Sequence, residues 1–131
     1  MARYSKHLGR LFLPLCLSAL MLLSCQEGGD AGELFGQWRM TDTDRQYIAF
    51  SGSLVLFRSI QEGQVFGKFQ HVGDSLFIQA YSINNMPLDT AIVEKTFGFT
   101  PFTNIRVGIL TLNDEHLVLS KGHRKWSFDK Y

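Results

Sequence analysis

Cysteine is scarce in this chain, and both of its copies, Cys16 and Cys25, fall within the first 25 residues. No disulfide can cross-link the residues from 26 onward, so whatever folds there must be held by burial of apolar surface. An apolar run long enough to span a bilayer is also missing. The only long run extends from Leu11 to Leu23, short of the about 20 residues that a membrane-crossing helix needs. It follows Arg3, Lys6 and Arg10, which makes it the apolar segment of a secretory signal and not an anchor helix. An excess of positive charge is absent once that signal is set aside. The chain has 13 Lys+Arg and 12 Asp+Glu, and three of the basic residues lie in residues 1–24, leaving 10 against 12, or −2. A surface with that balance has no field to draw in phosphate backbones, which argues against nucleic acid as a partner.

The apolar run ends in Leu22-Leu23-Ser24-Cys25. This resembles the bacterial lipobox, with Leu three residues before the cysteine and a small residue immediately before it. Cys16 is a poor alternative, because Leu15 precedes it and the apolar run continues beyond. The resemblance implies a thioether-linked diacylglycerol on Cys25, cleavage after Ser24, and acylation of the new amino terminus. Two or more acyl chains make such an anchor effectively permanent. The expected organisation is a lipoprotein signal peptide at residues 1–24, a lipidated Cys25 with a flexible tether to residue 33, and one domain from 34 to 131. The tether reading rests on Gln26 to Glu33, which is rich in glycine and acid and has no large apolar residue. Its acidic character after the cysteine is similar to the export signal of surface lipoproteins of Bacteroidota. The implied location is the cell envelope, at the outer membrane and facing the cell surface.

From Leu34 onward, apolar alternation and turn signals recur every eight to twelve residues, the spacing of an all-β barrel or sandwich. Strands are expected near residues 35–41, 47–51, 53–60, 64–72, 75–83, 91–100, 105–113, 116–121 and 124–130. Glu62-Gly63, Gly73-Asp74, Asn113-Asp114 and Lys121-Gly122 supply residues suited to tight hairpins. Leu76, Ile78 and Ala80 alternate against Gln79; Trp126 and Phe128 alternate with Lys125, Ser127 and Asp129. No stretch shows a sustained helical period; residues 85–90 or 101–104 make a turn at most. The expected fold is therefore all-β: an antiparallel meander closing into a small barrel of about eight strands, which removes exposed edges. A five-stranded oligonucleotide-binding barrel is the second architecture, disfavoured by the strand count and the lack of basic stripes.

Gly36-Gln37-Trp38 opens the first strand. It resembles the Gly-x-Trp opening of lipocalins, and the whole plan, a short lipoprotein ending in Trp126-Ser127-Phe128-Asp129-Lys130-Tyr131, is similar to the small lipocalin-like lipoproteins of Bacteroidota. The resemblance implies that Trp38 closes one end of the barrel beneath a basic residue of the last strand, for which Arg124 is the candidate.

Catalytic patterns are missing. There is no Gly-x-Ser-x-Gly elbow and no phosphate-cradling loop, and His71, His116 and His123 stand on separate segments without metal-ligand spacing. No catalytic residue, metal or cofactor is expected, and a non-enzymatic binding role is the first functional expectation. Phe50, Phe57, Phe66, Phe69, Phe77, Phe97, Phe99 and Phe102 are expected to fill a narrow interior in preference to lining a ligand pocket. The candidate binding rim is Met86 and Leu88 beside Pro87, and Phe99 and Phe102 beside Pro101, where apolar residues fall in expected loops. The competing reading makes these segments plugs over the barrel ends. Partners then reduce to the membrane through the lipid, and either a small apolar ligand or an envelope protein. A protein-interaction or inhibitor-type barrel with a filled core is the second function.

Overall fold

The computed structural model describes residues 29–131. The lipidation candidate Cys25 and the signal residues lie outside the described residues. Eight strands run in sequence order around a closed antiparallel barrel: β1 (Gly36–Met40), β2 (Gln46–Ser51), β3 (Leu54–Ser59), β4 (Gly63–Val72), β5 (Ser75–Tyr81), β6 (Ile105–Leu112), β7 (His116–Lys121) and β8 (Arg124–Lys130). Each strand pairs with its sequence neighbours, and β8 returns to β1 with Trp38 opposite Lys130 and Met40 opposite Phe128. No strand is left with a free edge.

Period-two alternation puts one side of every strand into the core. Val55 and Phe57 of β3, Val65 and Phe69 of β4, and Leu76, Ile78 and Ala80 of β5 all point inward and are buried. Ile105 and Val107 of β6, Leu117 and Leu119 of β7, and Trp126 and Phe128 of β8 complete the ring. The alternation in β6 is interrupted by a shift of register between Ile109 and Thr111. Leu110, the residue at the shift, is exposed.

The structure departs from the sequence reading in two places. Residues 91–100, expected as a strand, are instead mostly helical. A short helix, Met86–Ala91, continues without a break into a π-helical turn, Ile92–Phe97. Asn85 caps the helix by accepting from the Leu88 amide at 3.1 Å, and Pro87 sits in the first turn, where a missing N–H costs nothing. Gly98 stops it in the left-handed region at φ 85°. The β-branched and aromatic residues of this stretch favour a strand locally, but Ile92, Val93 and Phe97 share one helical face, and burying that face over the barrel mouth decides the conformation. The second departure is at the start. Gly29–Leu34 makes 3₁₀ turns kinked at Gly32, and Ala31 and Leu34 are fully buried. The packed region therefore begins before Leu34, inside the segment assigned to the tether. Ala31 and Leu34 are its apolar anchors.

Candidate functional site

Both ends of the barrel are closed, and a tryptophan closes each. At the end where β1 begins, Trp38 is buried and its Nε1 donates to the Leu34 carbonyl at 2.9 Å, pinning the preceding 3₁₀ turn across the opening. Lys130 lies over the ring, with Nζ 4.4 Å from the centroid, and donates to the Phe35 carbonyl. Gly36 makes room for this arrangement. Its φ is 116°, and a Cβ there would stand 2.6 Å from Lys130 Nζ.

The basic residue over Trp38 is thus Lys130 and not Arg124, the residue assigned from sequence. Strand direction is the reason. β8 runs toward the Trp38 end, so Arg124 at its start is left about 20 Å away along the strand. Arg124 performs the corresponding task at the other end, where its Cζ stands 5.1 Å from the centroid of the Trp126 ring.

That second end holds the helical segment. Trp126 Nε1 donates to the Phe97 carbonyl at 2.7 Å, while its ring stacks on Phe99 with centroids 4.5 Å apart. Phe57 rises from β3 to meet Phe97 at 5.4 Å and Phe99 at 5.8 Å. Glu94 accepts from the Phe102 amide at 2.8 Å, and Lys121 donates to the Thr100 carbonyl at 2.7 Å, tying down the segment that leads into β6. Phe99 and Phe102 therefore do not form a binding rim. Phe99 is fully buried and Phe102 nearly so, because the mouth of the barrel can be sealed only by apolar side chains turned inward. The plug reading holds for this pair. Met86 and Leu88 differ: they stand on the outer side of the helix, 54% and 45% exposed, with Ile83 exposed beside them.

Among the described residues, the titratable groups within ion-pair distance lie on the surface. His116 Nδ1 is 2.9 Å from Asp129 Oδ1, and Nε2 is 3.9 Å from Glu115, on an exposed strand pair. Among the described residues, no three His, Cys, Asp or Glu side chains are grouped so that they could hold a metal ion.

A concavity lies on the outside of the barrel. It measures about 780 Å³ and crosses the outer face of β4, β5 and the start of β6. Register sets its floor. Lys68 lies opposite Gln79, and Gln70 opposite Phe77, which in turn lies opposite Arg106. Ser53 borders it at the β2–β3 turn, and Thr103 and Asn104 at the entrance to β6. The hollow exists because β5 pairs with β6 only from Ser75 to Ile78. A smaller concavity of about 360 Å³ lies between Met86, Pro87, Glu94 and Lys95 on the helix. Sequence reasoning missed the outer hollow. Lys68, Gln70, Phe77, Gln79 and Arg106 belong to the outward half of each strand's alternation, and their juxtaposition depends on registers between strands that no local pattern encodes.

Residues 20–131 match the family described as Lipocalin-like domain. Among solved structures, the chain is similar to a lipocalin-like protein from Bacteroides uniformis, at 22% identity and a TM-score of 0.62, covering 76% of this chain and 100% of that one. It is also similar to an uncharacterized protein from Bacteroides eggerthii, at 18% identity and a TM-score of 0.60, covering 75% of this chain and 99% of that one. At these identities the likeness is one of fold. No curated protein matches the chain.

Proposed function

The chain belongs to the lipocalin-like domain family, and from that membership we propose a non-catalytic binding module, tethered outside the cytoplasm by lipid on Cys25, that holds its ligand or partner on its outer surface. The observation that carries this reading is the filled interior. Phe57, Phe97, Phe99 and Trp126 occupy one end and Trp38 the other, whereas a concavity of about 780 Å³ lies on the outer wall. An eight-stranded barrel has room for its own side chains or for one small ligand, and here the side chains take the space. The Leu22-to-Cys25 lipobox supports placement at the outer membrane, and the acidic segment after it supports exposure at the cell surface. The family is generally one of binding domains, which supports a role without turnover.

Trp38 and Trp126 both face the interior, so their fluorescence reports on any molecule that enters. Adding palmitate to the purified protein is expected to leave both unchanged. Hydrogen exchange in the presence of an envelope extract is expected to add protection on β4 to β6 or on Met86–Ala91. A saturable, one-to-one change in tryptophan fluorescence would place the ligand inside and overturn the proposal.

A second reading rests on Ile83, Met86 and Leu88, whose exposed apolar side chains crowd the N-terminal turn of the helix. They suit contact with an envelope protein, the inhibitor-type role. Met86→Glu with Leu88→Glu would abolish the added protection if that contact is the one that matters.

A further inference from the structure

We propose that the hollow on the outer face of β4, β5 and β6 binds a saccharide chain bearing negative charges. This rests on the reading that the protein binds at its outer surface and names the class of ligand. The first ground is charge. Among the described residues, Lys68 and Arg106 are the only ionisable side chains lining the hollow and no carboxylate lines it, although the chain from residue 25 onward carries more acid than base. Among the described residues neither cation is in a salt bridge. Both stay available to an anion.

The second ground is the chemistry between the two charges. Gln70, Gln79 and Asn104 present amides, and Ser53 and Thr103 hydroxyls, so the floor both donates and accepts hydrogen bonds. Apart from Asn104, which accepts from Arg106 Nε at 3.3 Å, none of these side chains has a hydrogen-bond partner among the described residues. Amide side chains suit the adjacent hydroxyls of a sugar ring. Phe77 lies between the two cations, half-buried, with Arg106 Cζ 5.7 Å from its centroid. An aromatic ring beside amides offers a surface to the C–H face of a pyranose, which phosphate or a free carboxylate would not use.

The third ground is geometry. Lys68 stands two strands and two residues from Arg106, roughly 12 Å between Cα atoms at ordinary sheet spacings. That diagonal suits an extended ligand with charges at intervals. Nucleic acid is a worse fit, since a duplex bears one charge per about 1.7 Å and calls for a far denser basic surface. A flat bilayer is also a worse fit to a concave wall.

Calorimetric titration of the purified protein with oligogalacturonate and with a chondroitin sulfate oligosaccharide distinguishes carboxylate from sulfate as the charged group. Methyl-esterified oligogalacturonate and phosphatidylglycerol vesicles are the comparisons. Binding of at least one charged oligosaccharide is expected, weakening with salt and at least about tenfold tighter than that of the neutral ester. Lys68→Gln and Arg106→Gln should each weaken it about tenfold at an unchanged melting temperature, with Lys68→Arg retaining it. Should a glutamine variant melt early, salt dependence and the neutral ester decide with the native protein. Failure of both charged oligosaccharides to bind, equal binding of the neutral ester, or wild-type affinity in the variants would overturn the inference. Tighter vesicle binding through the same two cations would overturn it in favour of a lipid surface. These outcomes leave the outer-surface reading standing, which the palmitate experiment tests separately.

Discussion

Lys130 covers the face of Trp38 at 4.4 Å while its ammonium donates to the Phe35 carbonyl, so one exposed side chain fastens the last strand to the start of the first. The ring, the cation and the carbonyl form a clasp over the closed end. Trp38→Ala removes a fully buried ring and the donor to Leu34, and should cost about 3–5 kcal/mol, much of the stability of a domain this size. Lys130→Met keeps most of the packing and should cost only about 0.5–1 kcal/mol, since the cation is exposed. Denaturant midpoints at constant slope would show the difference. Equal losses would mean that the cation, not the ring, holds the end shut.

Trp126 joins β8 to the helical plug through a single hydrogen bond to the Phe97 carbonyl. Trp126→Phe retains an aromatic ring against Phe99 but leaves that carbonyl without its donor. A loss of about 1–3 kcal/mol is expected, with faster amide exchange from Ile92 to Phe99 and little change in β2 or β3. Exchange that rises uniformly through the barrel would show that the plug and barrel open as one unit.

Gly98 is required for two separable reasons. Its φ of 85° suits glycine, and a Cβ there would stand 1.9 Å from the Arg124 guanidinium. Gly98→Ala should destabilise by on the order of 1–3 kcal/mol. In an Arg124→Ala background the steric part disappears and the backbone part remains, so the cost of Gly98→Ala should shrink without vanishing. A cost that is the same in both backgrounds would show that the guanidinium moves aside freely.

The same positions show how far the sequence could be read. Hairpins at Gly73-Asp74 and Lys121-Gly122 were legible because the turn residues and the flanking alternation agree, and both glycines have positive φ. The helix was not, because Ile92, Val93, Thr96 and Phe97 carry strand propensity and their shared face gains its meaning only over an open barrel mouth. Asn85, Pro87 and Gly98 were the available signals, a cap, a first-turn proline and a stop. Choosing Arg124 over Lys130 failed for another reason. Sequence gives the strand, but which end faces Trp38 follows from the closure of β8 on β1. The outer hollow needed two registers at once and had no local signature.

Lipidation makes its own prediction from Leu22-Leu23-Ser24-Cys25. A clickable fatty-acid analogue should label the native protein and not Cys25→Ser, and the variant should leave the membrane fraction. Equal labelling of both would remove the anchor from the proposal.

A filled interior also predicts what happens when it is emptied. Phe57 is fully buried and touches both Phe97 and Phe99, so Phe57→Ala should cost about 3–5 kcal/mol and leave an apolar void beneath the plug. Such voids stay dry and accept benzene-sized molecules. Benzene should therefore raise the melting temperature of Phe57→Ala while leaving the native protein nearly unchanged, because a ligand stabilises only the folded state that has room for it. Phe57→Leu, with a smaller void, should respond less. If the native protein gained as much from benzene as the alanine variant, its barrel would already contain usable space, and the case for binding on the outer wall would lose its main support.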